Sequence, residues 1–136
     1  MQEHTLTRTG NVPLAFAGEQ LARESGRWHA GVEQNRWHEI TVYKTAAGRV
    51  VVAITYRTLW QGETDYHAVE VVDDLRAAAA VLRAYVPAEY LLGYPPALEG
   101  TQFALKQARL QRSLEDRYRD AVTAVLDALD ITEHVD

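Results

Sequence analysis

The chain has 136 residues, of which 47% are hydrophobic and 24% charged, with 19 acidic side chains against 14 basic ones for a net charge of −5. The absence of cysteine excludes a disulfide framework, a thiolate metal centre and a cysteine nucleophile together. The mild acidity argues against a general nucleic-acid binder, and no apolar run approaches the roughly 18 residues of a membrane span.

A chain of this length buries roughly two-thirds of the surface it exposes when unfolded, so one domain over residues 1–136 needs no metal or disulfide to hold it. The first residues, MQEHTLTRTGNVPLAF, lack the basic-then-apolar order of a signal peptide, and the expected location is the cytoplasm.

Residues 3–9 alternate weakly and end at Gly10-Asn11, which reads as a short polar edge strand. Residues 14–25 admit two readings. Leu14, Ala17 and Leu21 fall at helical spacing. Leu14 and Phe16 also share one face of a strand, with Leu21 at the opposite parity and Gly18 between them. A glycine where parity switches marks a β-bulge, so the stretch is assigned as a bulged strand. Residues 26–35 read as a loop carrying Trp28 and His29.

The centre of the chain, Arg36 to Val72, reads as three antiparallel strands. Pairing Thr45 with Arg49 leaves Ala46-Ala47-Gly48 as a three-residue hairpin, with glycine where the left-handed conformation is required. That register sets Val42 against Val52, Ile40 against Ile54, and His38 against Tyr56; on the opposite face Tyr43 meets Val51, Glu39 meets Thr55, and Trp37 meets Arg57. For the third strand, matching apolar faces predicts Val71 beside Val52, Val69 beside Ile54 and His67 beside Tyr56. A slip of one residue would turn Glu70 to the core face.

Asp73-Asp74 then caps a helix over LRAAAAVLRAYV, with Leu75, Ala79, Leu82 and Val86 on one stripe and Pro87 as its stop. A connector follows, apolar at Tyr90, Leu91, Leu92 and Tyr94 and extended at Pro95-Pro96. Thr101 is placed to cap a long helix from Gln102 to Leu129, with Phe103, Leu110, Leu114, Tyr118, Ala121, Val125 and Leu129 along one stripe. Such a helix spans about 40 Å, wider than a small sheet of roughly 20 Å, and the overhang predicts a homodimer.

The expected fold is α+β: an antiparallel sheet of four or five strands, mainly a meander, with one short and one long helix on one face. Two rows of side chains carry the functional expectations. Trp37, Arg57 and Tyr66, with Tyr43 and Glu39 nearby, form an aromatic–arginine face suited to binding another protein; the bland alternative is that other parts of the chain cover this face. His38, Tyr56 and His67 form the second row, where two imidazoles and a phenol would suit acid–base work or a ligand pocket. The alternative there is a set of polar-tipped rings closing the end of the core. Lys106, Arg109 and Arg112 form a short basic helix face. No phosphate loop, nucleophile elbow or metal-binding spacing is present, so no cofactor or metal is implied. The function expected is a small accessory protein, an inhibitor or adaptor, that binds a protein partner. A small enzyme or ligand-binding protein is the alternative.

Overall fold

The computed structural model describes residues 1–91 and 102–132, apart from the side chain of Phe103. The expected Thr101 cap and the connector residues Leu92, Tyr94, Pro95 and Pro96 lie outside the described residues. In chain order the elements are β1 (Gln2–Leu6), β2 (Leu14–Ser25), β3 (Trp28–His29), β4 (Val32–Glu33), β5 (Arg36–Thr45), β6 (Val50–Thr58), β7 (Tyr66–Val72), α1 (Leu75–Ala84) and α2 (Gln102–Ala128). Five strands form one antiparallel sheet in the order β1-β2-β5-β6-β7, and β3 and β4 form a separate ribbon. The architecture is α+β, with a curled sheet and both helices on one face.

The β5–β6 hairpin has the expected register, from Arg36 opposite Thr58 to Lys44 opposite Val50. The Thr45 N–H donates to the Arg49 carbonyl at 2.8 Å, and Gly48 takes φ 87°. A side chain there would meet the steric cost of the left-handed region, which glycine avoids.

The β6–β7 register differs by one residue from that expected. Tyr66 lies opposite Tyr56, Ala68 opposite Ile54, Glu70 opposite Val52, and His67 opposite Thr55. Glu70 therefore stands on the helix-side face, but β7 is an edge strand and Glu70 stays exposed. The desolvation cost that argued against this register is not incurred. Val69 and Val71 turn to the opposite face, where they are half-buried.

That second face is covered, because β2 is long and bent. Its pairing with β5 shifts at Leu21, between Gln20 and Ala22, so the bulge lies three residues beyond the expected Gly18. Gly18 has another task. A Cβ there would collide with the Lys44 carbonyl, so only glycine lets β2 approach β5 this closely. Beyond Gly18, β1 and the start of β2 fold across the sheet. The loop after β1 reaches the far edge, where the Thr9 N–H donates to the His67 carbonyl at 3.0 Å and the His67 N–H donates to Thr9 Oγ1 at 2.8 Å. His4, Phe16 and Tyr43 pack their rings at 4.7–5.2 Å beneath this strap, and Val51 keeps only 1% of its surface exposed.

The main core lies on the helix side. Ala22, Ile40, Val42, Val50, Val52 and Ile54 from the sheet meet Ala78 and Leu82 of α1 and Tyr118, Ala121, Val122 and Val125 of α2. Each Val, Leu or Ile buried here is worth about 1.5–3 kcal/mol. α1 lies over β6 and β7, and α2 over β2 and β5. Asp74 caps α1 by accepting the Ala77 N–H at 2.8 Å. The Tyr118 hydroxyl donates to the Leu82 carbonyl at 2.6 Å, which ties the helices and satisfies one of the last carbonyls of α1. Val86, expected on the buried stripe, falls after the helix end and is exposed.

Candidate functional site

The one-residue register separates the histidine row. His38 and Tyr56 remain paired on the helix side and are shut from solvent, at 2% and 0% exposure. His67 lies on the other face, with Nδ1 3.4 Å from Thr55 Oγ1. Among the described residues no single pocket joins all three. The imidazole of His38 sits among the rings of Tyr56, Tyr85 and Tyr118 at centroid distances of 5.4, 5.5 and 5.0 Å. Among the described residues neither ring nitrogen meets a partner at full hydrogen-bonding geometry, and neither does the buried Tyr85 hydroxyl. Burial, reinforced by the Arg117 guanidinium, pulls the His38 pKa down to about 3, with the Pro87 backbone acting in the opposite direction. This histidine is neutral at pH 7 and closed to substrate. Burial also pushes the phenols of Tyr56, Tyr85 and Tyr118 above their ordinary value.

The aromatic–arginine row loses its third member to the same shift. Trp37 and Arg57 pair as expected, whereas Tyr66 is on the helix side, stacked on Tyr90 at 3.7 Å. Trp37 and Tyr43 are buried. Glu39 accepts from Trp37 Nε1 at 3.2 Å and from Arg57 Nε at 3.1 Å, and Arg57 also donates to Asp65 at 3.0 Å. Burial draws the Arg57 pKa down, but its bonds to Asp65 and Glu39 outweigh that and hold the guanidinium charged. Trp37, Glu39, Arg57 and Asp65 thus bond to one another, with Trp37 buried and Arg57 and Asp65 partly exposed.

What stands open is one end of the sheet. Here the β3–β4 ribbon turns through Ala30 and Gly31, at φ 51° and 77°, the positive angles of a tight two-residue hairpin. The residues expected to form a plain loop thus contain a short two-stranded ribbon. Beside it runs the β6–β7 loop, joined through the Leu59 N–H to the Asn35 carbonyl at 2.9 Å. The two loops expose Trp28 by 64%, Val32 by 60%, Leu59 by 63% and Trp60 by 49%.

A buried polar hub holds this end in shape. Glu63 accepts from Arg36 Nε and Nη2 at 2.7–3.1 Å, from the Tyr56 hydroxyl at 2.7 Å and from Thr58 Oγ1 at 2.8 Å. Arg117, reaching in from α2, donates to the Arg36 carbonyl at 2.7 Å. The Arg36 guanidinium lies 4.5 Å from the Trp60 ring centre, and Arg27 lies 5.0 Å from that of Trp37. Sequence reasoning passed over Trp60, Leu59 and Val32; the available signal was a tryptophan in each of two loops that the topology brings to one end. Lys106, Arg109 and Arg112 are exposed on α2. Among the described residues no group of three or more His, Asp or Glu side chains is placed to hold a metal, and no helix is long and apolar enough to cross a membrane. Comparison with protein-family models, with curated proteins and with solved structures finds no match to this chain.

Proposed function

We propose that this chain is a small cytoplasmic accessory protein that acts by binding another protein, as an inhibitor or adaptor does, and that the open end bearing Trp28, Val32, Leu59 and Trp60 is its contact surface. The observation that carries this reading is the exposure of these four large apolar side chains on two adjoining loops. Scattered exposed hydrophobics are ordinary, but a group rimmed by polar residues marks an interaction site. Tryptophan and arginine are the residue types most enriched where interfaces concentrate their energy. Two guanidinium–indole contacts support the reading, Arg36 with Trp60 and Arg27 with the buried Trp37.

The buried hub supports the same reading. It stiffens loops that would otherwise lose freedom on binding, and preorganised loops bind at lower entropic cost. A second copy of the chain remains the expected companion, since α2 runs for 27 residues, about 40 Å, and leaves Leu105 half exposed.

A photo-crosslinking residue in place of Val32 or Leu59, introduced in the native host, tests the proposal. The expected result is a discrete adduct from both positions and none from Ala80 on the exposed side of α1. An adduct of twice the chain mass identifies a homodimer through this end, and a different mass identifies another protein. No adduct from either loop position overturns the assignment.

A further inference from the structure

The edge of β7 carries a second, independent feature. In an antiparallel strand, alternate residues direct both backbone groups to the same side. The N–H and C=O of His67 point away from β6, because both are engaged by Thr9. Those of Val69 and Val71 therefore point outward as well, and no backbone or side-chain partner meets them among the described residues. Thr9 covers the edge at one residue and leaves the next two outward-facing residues open. Of the usual protections of an edge, a lysine, a proline and a bulge are missing from Tyr66-His67-Ala68-Val69-Glu70-Val71-Val72, and the one charge turned to the helix-side face is Glu70.

Next to this open edge lies a cleft of about 250 Å³ between α1 and the sheet, lined by Val52, Ile54, Ala68, Val81, Ala84 and Tyr85, with Glu70 as its charged residue. Glu70 makes no ion pair among the described residues. It reached this face through the one-residue register and stands beside an apolar cleft on the only side from which a further strand would be added to β7.

From these observations we infer that β7 accepts an extended peptide segment as a sixth strand, with a basic side chain paired to Glu70 and an apolar side chain two residues away entering the cleft beside Ala68. Main-chain bonds to Val69 and Val71 supply affinity, and the two side chains on one face supply selectivity. Directly opposed side chains on paired strands lie about 5 Å apart, within reach of an ammonium–carboxylate pair. The charge also selects against a second copy of the same edge, which would bring Glu70 near its own counterpart. The occupant is a basic–apolar strand from a different protein. This inference does not rest on the tryptophan-bearing end.

The test uses the full chain and two hexapeptides, acetyl-Thr-Leu-Thr-Lys-Thr-Val-amide and the same peptide with glutamate for lysine. The lysine peptide is expected to bind at least tenfold tighter, and Glu70→Lys is expected to reverse that preference. Saturation with the lysine peptide is expected to slow hydrogen exchange of the Val69 and Val71 amides at least tenfold. Val71→Pro removes an outward N–H without touching the ladder to β6 and is expected to abolish binding; if that variant fails to fold, the exchange and Glu70→Lys measurements decide alone. Leu59→Asp, at the other surface, is expected to bind the peptide as the unaltered chain does. The inference is overturned by failure of both peptides to bind, by equal affinities, or by binding that leaves exchange at Val69 and Val71 unchanged. Protection that rises with protein concentration without peptide also overturns it, by assigning the edge to a second copy.

Discussion

At His38 folding places an imidazole where it is not accepting a proton at any ordinary pH. Its pKa falls from 6.5 to about 3, chiefly through burial and then through Arg117. The unfolded chain takes up this proton below about pH 6.5, whereas the folded chain does not until about pH 3, so stability falls as pH drops through that window. At pH 5 the loss reaches about 2 kcal/mol. Urea unfolding at pH 7.5 and pH 5.0 checks this: His38→Phe should lose about 2 kcal/mol less than the unaltered chain between the two conditions, and equal losses would refute the attribution. The residue was legible from its sequence neighbours only in part. The hairpin turn predicted its pairing with Tyr56, and a core-closing role was one of the two readings. Its cage is another matter, because Tyr85 follows α1 and Tyr118 lies in α2, and no local spacing reveals where those helices are placed.

Among the elements, the β6–β7 loop depends most on a single side chain. Glu63 gathers Arg36, Tyr56 and Thr58 around a carboxylate whose side chain is 2% exposed. Breaking one side of a buried pair costs about 3–5 kcal/mol, because a desolvated charge is left behind. Glu63→Gln should lower stability by about 3 kcal/mol and speed hydrogen exchange at the Leu59 amide, whose bond to Asn35 the loop maintains. A variant with unchanged midpoint and unchanged exchange would show that the loop holds itself. The contrast between the two central hairpins explains why one register was readable and the other was not. A three-residue turn with glycine at its end admits one pairing. The seven residues from Leu59 to Asp65 admit several, and apolar matching chose Val69 and Val71 for the helix side. That choice assumed one buried face. Val50-Val51-Val52, three consecutive buried residues, was the sign of a sheet covered on both faces.

For the molecule as a whole, the strap from β1 to β7 converts an open meander into a curled sheet. Its closure rests on two short hydrogen bonds between Thr9 and His67, residues 58 positions apart. Thr9→Val preserves the side-chain shape and removes the acceptor of the His67 N–H. The expected outcome is a loss of about 1 kcal/mol and at least tenfold faster exchange at the His67 amide, with exchange within β5 following only the global loss. Unchanged protection at His67 would mean that the strap is held by its aromatic underside, His4, Phe16 and Tyr43, alone. The order of elements and the helix-side core were open to sequence reading, because alternation and helical stripes are local. The strap was not, since nothing in a weakly alternating polar segment states which distant edge it will touch.

The same closure sets an order of assembly on the ribosome. The segment carrying Thr9 is made first, yet its landing place on β7 emerges more than fifty residues later. Until then the strap has no β7 edge to land on, while the β5–β6 hairpin pairs as soon as its turn is free. The first strands synthesised thus close the strap only after β7 has been made, and the valines beneath them stay open to other chains for that interval.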